Sequence, residues 1–181
     1  RLVTPSLVVV SERYAPALAG LDHGAPRVAT FGPEFERMRL SAPPGEVDHR
    51  VDAEAGLVIL YTSGTTGLPK GALISQRAKL ARMDVSRIDL GLRANDQFVA
   101  WAPMFHMVSL EHALHVLGLG GTVFVVDGAD IPHIVRLVQT QPQWWLVLIP
   151  GMIERLVETL RDAGIRPCGI RLTGALADLV P

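Results

Sequence analysis

The chain has 181 residues, 17 basic and 18 acidic side chains and a formal net charge of −1, and 49% of its residues are hydrophobic. Disordered chains pair low hydrophobicity with high net charge, so this composition predicts a packed core of ordinary size, as one domain or a piece of a larger one. The balanced charge supplies no global basic field for a nucleic-acid backbone, so nucleic acid is not an expected partner and any anion site must be local. Of the basic residues only Lys70 and Lys79 are lysines. A lysine is a compact point charge suited to a phosphate, which makes both candidates for a local anion site. The single cysteine, Cys168, rules out an internal disulfide framework and points to a reducing, cytoplasmic setting. No apolar run approaches the roughly 20 residues of a membrane span. The chain begins Arg1-Leu2-Val3, with no initiator Met and no signal pattern, so it is expected to be excised from something longer.

In chain order, Leu7 to Val10 and Val28 to Phe31 are β-branched runs closed by polar or Gly-Pro punctuation, and both predict strands. Residues 32–55 turn polar around Pro43-Pro44-Gly45 and are the expected linker. Leu57 to Tyr61 is continuously apolar, which predicts a strand covered on both faces. Helical spacing follows from Ser75 to about Leu92, then strand at Phe98–Trp101, helix at Ser109–Leu119, strand at Thr122–Val126 and helix at Pro132–Gln139. Trp144–Ile149 predicts a strand, Ile153–Ala163 a helix with Gly164 after its end, and Ile170–Thr173 a last strand. Alternating strands and helices predict an α/β fold with a mostly parallel sheet and helices on both faces. In such folds ligands bind outside the carboxyl ends of strands, so binding residues are expected just after the apolar runs.

The segment Tyr61-Thr62-Ser63-Gly64-Thr65-Thr66-Gly67-Leu68-Pro69-Lys70-Gly71 lies after such a run. Its glycines, four Ser/Thr hydroxyls and one lysine, with no acid among them, can converge backbone N–H groups, hydroxyl donors and a cation on one anion. Gly64 and Gly67 allow close approach by ligand oxygens, and Pro69 restricts the segment carrying Lys70. The spacing is not that of the common P-loop: Pro69 stands five residues after Gly64, and Gly71 follows Lys70. A plain turn-rich surface loop is the competing reading.

This eleven-residue string resembles the signature of the adenylate-forming superfamily, which includes acyl- and aryl-CoA synthetases, adenylation domains of peptide synthetases and luciferases. The resemblance implies ATP, Mg²⁺ and coenzyme A as cofactor and co-substrates, and a carboxylic acid that is converted to an acyl-adenylate and then to a thioester. Position by position it assigns Thr62, Ser63, Gly64, Thr65, Thr66, Gly67 and Lys70 to the nucleotide phosphates, with Thr65 also at the metal. One departure is Ser75-Gln76, where many relatives have Ser-His; Gln76 receives no role. Ala102-Pro103-Met104-Phe105-His106 resembles the family's Pro-x-Phe-His segment, which makes His106 the expected catalytic residue beside the substrate carboxylate. A histidine that merely starts a helix is the alternative. Gly174 and Ala175 match, in outline, the backbone that approaches adenine and the acyl group.

Other features carry structural readings. His112 and His115 share a helix face and with His106 invite a metal, but only Glu111 is near, so a solvated or packed face is expected. Gly120-Gly121 fits a tight turn and Trp144-Trp145 fits core packing. The resemblance runs over all of residues 1–181, read as an incomplete N-terminal adenylation domain: 1–55 as preceding strands and linker, 56–181 as the phosphate-loop core. The family's adenine-stacking Tyr-Gly-x-Thr-Glu segment and its C-terminal domain are expected beyond residue 181. A sheet cut at both sides would expose edges, so the chain is expected to form homo-oligomers or to be ordered only in part. The expected parent is a cytoplasmic acyl-CoA synthetase of fatty acid metabolism. A carrier-protein-loading adenylation domain and a non-catalytic nucleotide-binding module are the rival expectations.

Overall fold

The computed structural model of the chain describes residues 3–45, 50–62 and 69–175, divided into two compact units, Arg1–Val51 and Asp52–Pro181. In the first unit, β1 (Val8–Val10) pairs in parallel with β2 (Val28–Thr30), and between them lie a 3-10 turn at Glu12–Tyr14 and the short helix α1 (Ala15–Ala19). A nine-residue helix, α2 (Pro33–Ser41), follows. It corrects the expectation of a linker from residue 32. Pro33 opens it at a position where no donor is needed, and Glu34 and Glu36 complement the amino end of the helix dipole. Its sequence is too charged to show an apolar stripe, and none of its residues is buried.

The second unit begins with β3 (Gly56–Thr62) and β4 (Lys70–Ser75), an antiparallel hairpin. The expectation of a strand covered on both faces is overturned here. Leu57, Ile59, Tyr61 and Leu73 are exposed and, of the apolar residues, Val58, Leu60 and Ile74 are half-buried, so one face of the hairpin stands open. The segment after β3 therefore joins two antiparallel strands instead of leading from strand to helix. The base of the hairpin is tied down by main-chain bonds from Gln76 N to Ala55 O at 3.0 Å and from Arg77 N to Ala53 O at 2.8 Å. Helix α3 (Gln76–Ile88) continues directly from β4, capped by Ser75, whose hydroxyl accepts from Ala78 N at 3.2 Å. It stops four residues short of Leu92, which is buried in the connection that follows.

The remaining elements make the expected parallel α/β layer. Strands β5 (Gln97–Ala100), β6 (Thr122–Val125), β7 (Gln143–Val147) and β8 (Ile170–Gly174) form one parallel sheet in the order β6-β5-β7-β8. The crossovers are α4 (Met107–Gly118), α5 (Ile131–Thr140) and α6 (Met152–Asp162). Alternation along the strands separates two cores. Phe98 and Ala100 of β5 pack with Val116 of α4 and Leu92, and Met83 of α3 packs against them. Val99, Trp101, Leu146 and Leu148 pack on the other side with Ile131, Ile134, Val135 and Val138 of α5 and Met152 and Leu156 of α6. The α5 set recurs at i, i+3, i+4 and i+7, the spacing that puts one stripe on the sheet. At the α4–β6 turn Gly120 has φ of +74°, and a Cβ on Gly121 would run into the Asp96 carbonyl oxygen. Both glycines are thus required by the turn, as expected.

Candidate active site

Chain order and spatial order diverge at β5: the next strand, β6, lies on one side of it and β7 on the other. Such a reversal opens a crevice at the carboxyl ends of the two strands, where open α/β sheets bind ligands. The residues there are tied together by main-chain acceptors. Trp101 Nε1 donates to Val147 O at 2.7 Å, joining the ends of β5 and β7, and Leu148 N donates to Gly174 O at 2.8 Å, joining β7 to the end of β8. A Cβ on Gly174 would sit 2.5 Å from Trp145 Nε1, so the glycine is what lets β8 lie against the indole. Gly174 and the exposed Ala175 therefore end on the same sheet edge as the segment after β5.

That segment turns at Pro103–His106, where His106 N donates to Pro103 O at 2.8 Å. His106 is the N-cap of α4: its Nδ1 accepts from Val108 N at 3.2 Å, and the residue is exposed. With Nδ1 used as an acceptor, the proton of the neutral ring sits on Nε2. The ring thus offers an N–H donor away from the helix, so capping and ligand contact are compatible functions of the two nitrogens. Met104 and Phe105, 39% and 80% exposed, stand beside it as open apolar surface.

The hairpin mouth holds the second group of site candidates. Thr62 and Lys70 face each other across the register of β3 and β4, and Thr62 Oγ1 donates to Lys70 O at 3.5 Å. Lys70 is exposed, and its ammonium makes no ion pair among the described residues. Ser63, Gly64, Thr65, Thr66 and Gly67 lie outside the described residues. An exposed cation beside a hydroxyl, with no acid in the string, is a donor set that fits nucleotide phosphates. Among the described residues no group of three or more His, Cys, Asp or Glu could hold a metal ion. His106, Gly174 and Ala175 therefore share a sheet edge, while Thr62 and Lys70 are held on the separate hairpin.

Sequence reasoning missed the buried charges between α3 and α4. Glu111 and Lys79 are almost fully buried and paired at 2.6 Å, and Arg82 reaches the other carboxylate oxygen through Nη2 at 2.6 Å and Nε at 3.1 Å. Burial alone would raise the Glu111 carboxyl, but hydrogen bonds and charge from Lys79 and Arg82 outweigh it and hold the group below its ordinary value. His112 and His115 pack on this face. His112 Nδ1 donates to Val108 O at 2.6 Å, its ring stands edge-on to Trp145 at 4.5 Å, and burial lowers its pKa. His115 Nδ1 is hydrogen-bonded to Ser86 Oγ at 3.0 Å, its buried Nε2 has no partner among the described residues, and burial lowers its pKa to about 4. The packed-face expectation holds. The signal available in sequence was a glutamate, followed by His112, between the apolar residues Leu110, Ala113 and Leu114 of the helix.

A family model described as AMP-binding enzyme matches residues 4–175. The chain belongs to the AMP-binding enzyme family. It is 31% identical over 137 residues to the 4-chlorobenzoate–CoA ligase of Pseudomonas sp. (strain CBS-3), covering 74% of the chain and 25% of that protein. It is 33% identical over 136 residues to the indoleacetate–CoA ligase of Aromatoleum aromaticum, covering 74% of the chain and 26% of that protein. The chain thus spans about a quarter of the length of the curated relatives it matches. Its fold superposes on O-succinylbenzoate coenzyme A synthetase from Bacillus subtilis, solved in complex with ATP and magnesium ion, with a TM-score of 0.74 and 19% identity over 93% of the chain and 34% of that structure. At that identity the likeness establishes the fold, an α/β layer shared with adenylate-forming enzymes. Among the described residues no helix is long and apolar enough to cross a membrane.

Proposed function

We propose that this AMP-binding chain belongs to an acid–CoA ligase that activates a carboxylic acid with ATP and passes the acyl group to coenzyme A. The observation that carries the reading is the acid-free string from Tyr61 to Gly71, closed by an exposed Lys70 with no ion pair among the described residues. CoA ligases among the curated relatives support the acceptor, and their named acids, 4-chlorobenzoate and indoleacetate, favour an aromatic carboxylate over a fatty acid. A carboxylate oxygen attacks the α-phosphorus of ATP, the bond to the bridging oxygen breaks, and pyrophosphate leaves. The coenzyme A thiol, losing its proton, then attacks the acyl carbon of the adenylate and expels AMP.

In the first step the barrier is charge repulsion between two anions. Lys70, with Thr62 and the donors of Ser63 to Gly67, offsets charge on the β- and γ-phosphates without itself reacting. Bound magnesium would add further neutralisation at the phosphates, with Thr65 the proposed contact. His106 donates Nε2–H to the incoming carboxylate, and the amino end of α4 favours the same charge. Gly174 and Ala175 supply close-approaching backbone for the adenine and acyl groups. The test is carboxylate-dependent exchange of labelled pyrophosphate into ATP by the full-length protein, run with aromatic and long-chain aliphatic acids. Exchange with aromatic acids, followed by thioester formation on adding coenzyme A, is the expected result. Absence of exchange with every acid would exclude the reading.

A further inference from the structure

The interface between α3 and α4 is built from charge where an apolar seam would be ordinary. The side of α3 turned inward carries Lys79, Met83 and Ser86, while Leu80, Val85 and Ile88 are exposed. Lys79 and Glu111 are 5% and 4% exposed, and Arg82 forks onto the same carboxylate from the rim. A second polar tie joins the same helices at Ser86 Oγ and His115 Nδ1. Taking such charges out of water costs much of what their attraction returns, and apolar replacements of similar volume are often as stable. In several proteins, coiled coils among them, a buried polar or ionic group instead fixes a single permitted register, and that is the use this pair is suited to.

The place of the pair in the chain gives that register a consequence. Lys79 is the fourth residue of α3, which runs without a loop from β4, whose first residue is Lys70. Glu111 is the fifth residue of α4, whose N-cap is His106. Each partner thus lies within about a turn and a half of the helix end nearest the functional group. We propose that Glu111 is a positioning residue: through Lys79 and Arg82 it fixes α3 on α4 and so holds the phosphate-binding Lys70 and the carboxylate-binding His106 in one working geometry. This rests on the roles proposed above for Lys70 and His106.

In the full-length enzyme, Glu111→Gln keeps the side-chain volume and removes the charge. Misplacement of reacting groups by about 1 Å costs up to about a hundredfold, so the expected result is a ten- to hundredfold fall in kcat/KM for pyrophosphate exchange, with KM for ATP raised and kcat lowered. Glu111→Asp, which retains the charge, is expected to recover part of it. The apolar double variant Lys79→Met/Glu111→Leu separates positioning from stability: with a melting temperature at or above wild type it should still show the kinetic loss. Wild-type kinetics in the folded double variant, or a lowered melting temperature with unchanged kinetics in Glu111→Gln, would overturn the proposal. Arg82→Gln, on the rim side of the cluster, decides if those variants do not fold, by the same kinetic criterion. A wild-type enzyme without exchange would instead remove the function on which the inference rests.

Discussion

His106 illustrates how one residue carries a structural and a chemical assignment at once. Its Nδ1 caps α4 by accepting from Val108 N, which leaves Nε2–H directed to other partners. The two contributions separate by substitution. Asn is a good N-cap and Ala a poor one, so His106→Ala should lose about 1 kcal/mol of stability while His106→Asn stays close to wild type by thermal unfolding. Both should raise KM for the acid about tenfold or more, because neither presents the imidazole donor. Wild-type kinetics in His106→Asn would assign the residue to capping alone. At this scale the sequence was informative about type and silent about pairing: both lysines stood out in an arginine-rich chain, but Lys79 proved to be buried against Glu111 and only Lys70 is exposed at the hairpin mouth. The partner of Lys79 is 32 residues away in sequence, a separation no local pattern encodes.

Elements with an apolar period were legible, and those without one were not. The crossover helices and the strands of the sheet followed their apolar stripes. Helix α2 went unseen because Glu34, Glu36, Arg37 and Arg39 leave no stripe, and the β3–β4 hairpin was mistaken for a doubly covered strand because an apolar run does not reveal its partner. Helix α3 inverts the usual rule by turning its lysine inward. The α3–α4 interface also makes stability depend on pH. His112 and His115 are buried beside Glu111, Lys79 and Arg82, and both bind protons less tightly folded than unfolded. A histidine with a lowered folded value contributes stability that is complete above its unfolded value of 6.5 and is lost as pH falls; for His115 the loss runs from about pH 6.5 to about 4. Glu111, whose folded value is also lowered, adds a loss of the same sign at pH below its ordinary 4.5. Urea unfolding between pH 7.5 and 4.5 should therefore show a falling midpoint. His115→Gln, keeping a polar partner for Ser86, should flatten it. A midpoint that does not change over this range would contradict the burial of neutral histidines.

For the whole molecule, the alternation of strands and helices made the α/β class legible, whereas the order β6-β5-β7-β8 was not, because strand order follows from which crossover lies over which face. That order puts the carboxyl ends of β5, β7 and β8 along one edge of the sheet, where His106 follows β5 and Gly174 ends β8. The hairpin carrying Lys70 was legible as chemistry and illegible as placement, since its string names donors without saying that antiparallel strands present them. The central claim joins the two: a cation on the hairpin and a donor at the sheet edge serve one carboxylate activation. Pyrophosphate exchange by the Lys70→Ala variant of the full-length protein tests it most directly. Loss of a charge-assisted hydrogen bond of about 1.5–3 kcal/mol predicts a fall of roughly ten- to 150-fold in kcat/KM for ATP, with the melting temperature unchanged because Lys70 is exposed. Exchange at the wild-type rate would contradict the account.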